Sequence, residues 1–285
     1  MRNRIKYSQN FLKSVELVRN LIGQSGVSEN DTVIEIGAGE GIITAELLNK
    51  AKKVIAFELD KDFFDKLSQK FQDNRQLDLK NEDFLASPLP NYPYKVFSNI
   101  PFNITSAIIK KLTFGRNPPE DSYLIVQKEA AAKFAGKSLD SKNSQISVIL
   151  NPWFEFRVVH EFKSSDFSPK PSVEIILLEI KKRDNPLIDN KNKESYEDFI
   201  TYAFNQPKPN VAKSLERIIT INPTTLKPSE LEFDNWLVLF GVFLKIPKAR
   251  QNIVKGSFAK QQKDQEKIEK IHRTRVDKSW RKYRN

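Results

Sequence analysis

The chain contains no cysteine. That excludes disulfides, thiolate metal sites and a cysteine nucleophile. It fits a reducing compartment, and the cytoplasm is the expected location. Histidine is almost missing too: His160 and His272 lie far apart in sequence. They do not make a histidine-rich metal site, and they leave a Ser-His-Asp triad few candidates, so no metal is expected. No apolar run approaches the roughly eighteen residues of a membrane span. "MRNRIKYSQN" at the start has no apolar segment to serve as a signal peptide. No membrane association is therefore expected. Apolar residues make up 39% of the chain, below the usual level of about 45–50%. The deficit is partly local, because the stretch after Lys255 is very polar. The remainder of the 285 residues can build one large domain, with or without a small one.

Positive charge is plentiful. The formal net charge is +11. Such a balance points to a polyanionic partner, most often nucleic acid, although a plain basic protein would share it. Gly256–Asn285 holds ten Lys/Arg against four Asp/Glu, a net of +6. One short segment thus carries more than half of the excess.

Short apolar runs alternate with helix-like stretches. "TVIEI" (Thr32–Ile36), "KVIAFE" (Lys53–Glu58), "QLDLK", "YKVFS" and "SYLIVQ" read as strands. "GIITAELLNKA", "KDFFDKLSQKF" and "TSAIIKKLTF" read as intervening helices. "QISVILNPWFEFRVVHEF" reads as β-rich and "VEIILLEIK" as a further strand. This alternation predicts a mostly parallel sheet with helices on both faces. Ligands of such sheets sit beyond the carboxyl ends of the strands. The alternation stops near Lys182, and "KKRDNPLIDNKNKE" reads as a linker. Later segments look helical. The expected domains are 1–183, the sheet-bearing part; 184–255, helical; and 256–285, a basic tail with interleaved Trp280 and Tyr283.

"EIGAGEG" (Glu35–Gly41) joins the first strand to the first helix. Gly37, Gly39 and Gly41 allow a tight turn and close approach of a ligand. The spacing is neither the dinucleotide fingerprint nor a P-loop. Glu35 and Glu40 would repel a pyrophosphate. A ligand with a positive centre and no phosphate, such as S-adenosylmethionine, suits the loop better. Glu58 ends the second strand, where an acid can accept both hydroxyls of a ribose. Asp83, after the third strand, can accept from an adenine amino group, with Phe84 beside it. Each feature alone could be structural. Together they fall at the ends of consecutive strands, in glycine–ribose–adenine order.

The fourth strand ends at "SNIPFNIT". Asn99 offers an amide oxygen, and Pro101 stiffens the turn. The Ile100 carbonyl could stand beside that oxygen as a second acceptor. Two acceptors can grip both N–H bonds of an exocyclic amine, and Phe102 can stack on its base. A structural Asn-x-Pro turn with a core Phe is the competing explanation.

The order of these sites resembles the class I S-adenosylmethionine-dependent methyltransferases. "YSQNFL", "EIGAGEG", "FELD", "NEDFL", "NIPFNI" and "FSPKPSVE" together resemble the rRNA adenine N6-methyltransferases. Within that group, "YSQNF" and "SNIPFNIT" look more like the erythromycin-resistance 23S rRNA dimethyltransferases than the small-subunit enzymes. The resemblance covers about Lys6 to Lys181. It implies a Rossmann-like seven-stranded sheet with a small helical C-terminal domain. It also implies that Asn10, Leu12, Gly37, Gly39, Glu58, Asp83, Phe84 and Asn99 bind the cofactor. Asn99, Ile100, Pro101 and Phe102 would hold the target adenine, with Phe167 stacking from the other side. Phe102 departs from the tyrosine common at its position, so a hydroxyl role is absent. The implied partner is 23S rRNA or a large-subunit assembly intermediate, met by a monomer. A small-subunit 16S rRNA dimethylase, a DNA adenine methyltransferase and a non-catalytic nucleic-acid-binding factor are the alternatives. Mono- and dimethylation both remain open at this point.

Overall fold

The computed structural model describes residues 10–265 and 267. The chain divides into two compact units. The first takes the chain up to Asp140 together with Trp153–Asn185. The second takes Ser141–Pro152 and the chain from Pro186 onward.

In the first unit a two-residue strand β1 (Phe11–Leu12) precedes helix α1 (Val15–Gln24), whose first turn is capped by the Ser14 side chain. Then follow β2 (Thr32–Ile36), α2 (Ile42–Leu48), β3 (Lys53–Phe57), α3 (Lys61–Lys70) and β4 (Leu77–Lys80). Next come β5 (Lys95–Asn99), α4 (Thr105–Phe114), β6 (Asp121–Gln127) and α5 (Lys128–Ala135). The seven-stranded sheet has the order β4-β3-β2-β5-β6-β9-β7, with β7 at Phe154–Glu161 and β9 at Ile175–Lys182. The five strands from β4 to β6 in that order run parallel, and β9 lies antiparallel between β6 and β7. Central strands buried on both faces explain runs such as "TVIEI", which are apolar without alternation.

The chain moves outward from β2 to β4 and then returns to β5 on the other side of β2. That reversal opens a crevice past the ends of β2 and β5. Their ladder is short, with only Val33↔Lys95 and Ile34↔Val96 in register. Beyond it the buried Ser98 hydroxyl takes over. It accepts from the Ile36 N–H at 3.1 Å and donates to the Ile36 carbonyl at 2.6 Å. The strands can therefore diverge without orphaned backbone groups.

The second unit holds α6 (Gln145–Leu150), α7 (Lys193–Asn205), α8 (Val211–Leu215), α9 (Phe233–Lys245) and α10 (Lys248–Gln251). Its core is aromatic: Phe199 packs within 4.8 Å of Phe243 and 5.9 Å of Phe240. Residues 257–265 are helical, and the buried Asp198 carboxylate accepts from the Gly256 and Phe258 N–H groups. The basic stretch with Trp280 and Tyr283 lies outside the described residues.

The β-rich expectation for "QISVIL" is corrected. Gln145–Leu150 is a helix, capped by the Ser144 side chain accepting from the Ser147 N–H. A six-residue stretch with four apolar residues is too short to be assigned from periodicity alone. The rest of that segment, Phe154–Glu161, is a strand as expected. No helix among the described residues is long and apolar enough to cross a membrane. No metal-holding cluster of three His, Cys, Asp or Glu occurs among them.

Candidate active site

The crevice beyond β2 and β5 is lined by the glycine loop, by Asn99–Phe102 and by the arm residues Asn10, Phe11 and Leu12. The glycine loop hangs from the β3 end, where the Phe57 carbonyl accepts from the Gly37 N–H at 2.7 Å and the Ala38 N–H at 3.2 Å. Gly39 and Gly41 have φ of +56° and +77°, values that L side chains rarely adopt.

Glu58 is only 3% exposed. One carboxylate oxygen accepts from the Gly39 N–H at 2.8 Å and the other from the Asp60 N–H at 2.8 Å. The acid thus braces the glycine loop from the position just past β3. Burial raises its pKa, and these two amide bonds oppose the rise. Asp83 is exposed. Its Oδ1 accepts from the Leu85 N–H at 2.8 Å, and its own carbonyl accepts from Ala86 and Ser87.

Asn99 sits at the β5 terminus. Its Nδ2 donates to the Asn10 carbonyl at 2.7 Å. This fixes the amide orientation and leaves Oδ1 as the acceptor end. Asn10 in turn donates to the Pro169 carbonyl at 2.6 Å. Leu12 pairs with Phe167 through the short ladder of β1 with β8 (Phe167–Ser168). The arm is therefore tied to both β5 and the "FSPKPS" loop. Phe102, half-buried, lines the crevice beside Asn99, Ile100 and Pro101.

One expected ring contact, stacking of the target base on Phe167, is corrected. Phe167 is 1% exposed and lies edge-on to Phe162 at 5.2 Å. No base can stack on it in this conformation. Phe84 is buried edge-on against Phe57 at 5.3 Å, with the Lys111 ammonium over its ring. Standing next to Asp83 in sequence does not open its face to a ligand. Sequence reasoning also passed over three residues. Phe11 lies against Gly39, where a Cβ would come within 2.8 Å of its ring, and packs 5.6 Å from Phe63. Ser98 was visible only as a polar residue inside "KVFSN". Thr44 was not visible at all, although its hydroxyl donates to Glu35 at 2.5 Å.

Glu35 is buried at the crevice floor, and burial pushes its pKa up to about 8. The Thr44 hydrogen bond opposes this shift, and the Glu58 charge adds to it. The unfolded chain ionises this group near its ordinary value of 4.5. Between those values the folded chain holds more protons. Stability present below about pH 4.5 is therefore lost as pH rises toward about 8. Glu35→Gln keeps an acceptor for Thr44 and removes the titration. Its melting temperature relative to wild type should climb from pH 5 to pH 8 and then level off. A difference that does not change with pH would refute this account.

Among the described residues, the crevice lining carries one exposed carboxylate, Glu40, the buried Glu35, which stays protonated up to about pH 8, and neither lysine nor arginine. Apolar Ile42, Ile43, Ile100, Pro101 and Phe102 complete it. That set disfavours phosphate and fits a cationic nucleoside such as S-adenosylmethionine.

Comparison with known proteins agrees with this chemistry. Residues 1–232 match the family model described as ribosomal RNA adenine dimethylase. A Caldanaerobacter subterraneus protein named ribosomal RNA small subunit methyltransferase A is 31% identical over 76% of this chain and 83% of its own. A Bacteroides fragilis rRNA adenine N-6-methyltransferase is 33% identical over 74% of this chain and 78% of its own. In fold, the chain resembles the crystal structure of the 23S rRNA methyltransferase ErmE. The TM-score is 0.73 and the identity 24%, over 83% of this chain and 100% of that one. The protein belongs to the ribosomal RNA adenine dimethylase family.

Proposed function

We propose that the chain dimethylates N6 of one adenine in 23S rRNA and thereby confers resistance to macrolide, lincosamide and streptogramin B antibiotics. The coarser statement follows from the family: the protein is an S-adenosylmethionine-dependent rRNA adenine N6-dimethyltransferase. The observation that carries the site assignment is the Asn99 amide, locked by the Asn10 carbonyl with its oxygen as the free acceptor end.

When bound, the cofactor supplies a methyl group made electrophilic by its sulfonium. Glu58 takes the ribose hydroxyls with the lone pairs left over from its two amide bonds. Asp83 takes the adenine amino group with Oδ2. Gly37 leaves room for the methionine part. Asn99 Oδ1 and the Ile100 carbonyl hold the two N–H bonds of the target amine. Positive charge develops on that nitrogen as it attacks, and the two oxygens stabilise it. No strong base is needed beforehand, because the proton becomes acidic only as the new N–C bond forms in place of the methyl group's bond to sulfur, and it then passes to solvent water. Pro101 fixes the turn that aligns both acceptors. The target base must leave its stack, at a cost of a few kcal/mol. Stacking on Phe102 can return about 1–3 kcal/mol.

"YSQNF" and "SNIPFNIT" support the large-subunit reading, being more like the resistance enzymes than the small-subunit ones. The 16S reading has its own support in the small-subunit relative of Caldanaerobacter subterraneus. Methylation of purified 16S and 23S RNA, with mapping of the modified adenine, decides between them. Modification confined to 16S RNA overturns the 23S assignment. A macrolide-resistance assay in a susceptible host then tests the biological role. On this reading the enzyme works in the cytoplasm as a monomer.

The second unit and the basic tail are assigned to RNA. Residues 268–285 carry seven Lys/Arg against two Asp/Glu. If six of these cations engage single-stranded RNA, removing the segment should flatten the log–log salt slope by roughly 4. Cofactor affinity should not change. An unaltered salt slope would refute the tail's role.

A further inference from the structure

The Lys111 side chain stands apart from the crevice yet is spent entirely on one loop. Its ammonium donates to the carbonyls of Phe84, Leu85 and Ser87. It also lies 4.7 Å from the Phe84 ring centroid. An ammonium has three donors, and here three converging carbonyls take them. Burial lowers the Lys111 pKa, and the Asp83 charge opposes that shift. The same loop is closed at its front by Asp83. The Asp83 Oδ1 accepts from Leu85, and its carbonyl accepts from Ala86 and Ser87. The turn is thus held by Asp83 at one end and by a cation from α4 at the other. The start of α4 is the end of "SNIPFNIT", so one helix borders the target-amine turn and grips the Asp83 loop.

We propose that Lys111 is a positioning residue for the cofactor: its grip on the 84–87 carbonyls sets Asp83 where Oδ2 receives the adenine amino group. This rests on the assignment of Asp83 to the cofactor adenine. Arginine cannot replace it fully, because a planar fork does not place three donors on three converging carbonyls.

The test compares binding of S-adenosylhomocysteine with S-inosylhomocysteine, whose ring carries an oxygen in place of the amino group. Calorimetry on the full chain supplies both dissociation constants. Wild type should prefer the adenosine form at least about tenfold, as expected when a polar group of the site loses its partner. Lys111→Met should bring that preference below about threefold. KM for S-adenosylmethionine should rise at least about tenfold while kcat stays within about threefold. A purely structural lysine would lower the melting temperature and leave the preference intact. Lys111→Arg is the second variant, expected to lie between the two, and it serves if the methionine variant does not fold. Wild type that binds both ligands equally overturns the Asp83 assignment and this inference with it. Wild type that discriminates, with a folded Lys111 variant that discriminates equally well, overturns the role of Lys111 alone.

Discussion

Asn99→Ala is expected to lower kcat for methyl transfer about 10²–10³-fold while leaving the Kd for S-adenosylmethionine within about threefold. The lost atom is Oδ1, one of two acceptors facing a nitrogen that becomes positive only in the transition state. Interactions that strengthen at that point lower kcat when removed, whereas uniform binding would appear in KM. The alanine also loses the bond from Nδ2 to the Asn10 carbonyl, so part of the effect could come through a loosened arm. Asn99→Asp separates the two contributions. It retains an acceptor toward the amine but sets a second oxygen against the Asn10 carbonyl. Its kcat should fall between wild type and alanine, with the larger disturbance in KM. Single-turnover methylation of RNA measures both, and normal turnover by Asn99→Ala would sink the proposed role.

The parallel half of the sheet was legible because its physics is local. Buried strands such as "TVIEI" and "KVIAFE" are short, apolar and β-branched, and each is followed by a helix of matching length. The positions of Gly37, Glu58, Asp83 and Asn99 at the strand ends followed from that alternation. Depth of burial did not. Whether a ring beside a functional residue faces a ligand or the core depends on elements distant in sequence. Phe167 is enclosed together with Leu12, its partner across the β1–β8 ladder. Phe84 is enclosed by Phe57 and by Lys111. The "QISVIL" helix was illegible for a related reason. Four apolar residues in six satisfy either period, and only the Ser144 cap marks the helix start. Ser98 was passed over for the same reason: that its hydroxyl bridges β2 and β5 depends on a strand 62 residues away in sequence.

Gly41→Ala is expected to destabilise the fold by about 2–5 kcal/mol, from backbone strain of about 1–2 kcal/mol and overpacking of about 1–3 kcal/mol. Gly41 precedes α2 with φ of +77°. An added Cβ would lie 2.5 Å from Leu67 Cδ2 and 3.1 Å from Phe71 Cε2. Leu67 is fully buried, so the methyl group cannot swing away without disturbing the packing of α3. For a chain of this size the melting temperature should fall by about 3–8 °C. Gly39→Ala, two residues earlier in the same loop, should behave differently. Its φ of +56° brings similar strain, but its Cβ would meet Phe11 at 2.8 Å. Phe11 is half-buried on a two-residue strand, and it can yield by moving the arm. Stability should then drop by only about 1–2 kcal/mol. The displaced arm carries Asn10, so cofactor affinity should weaken about tenfold or more, roughly 1.4 kcal/mol of binding. Thermal melts and cofactor titrations on both variants test the contrast. It fails if Gly41→Ala melts no lower than Gly39→Ala, because the clash with α3 would then have been absorbed.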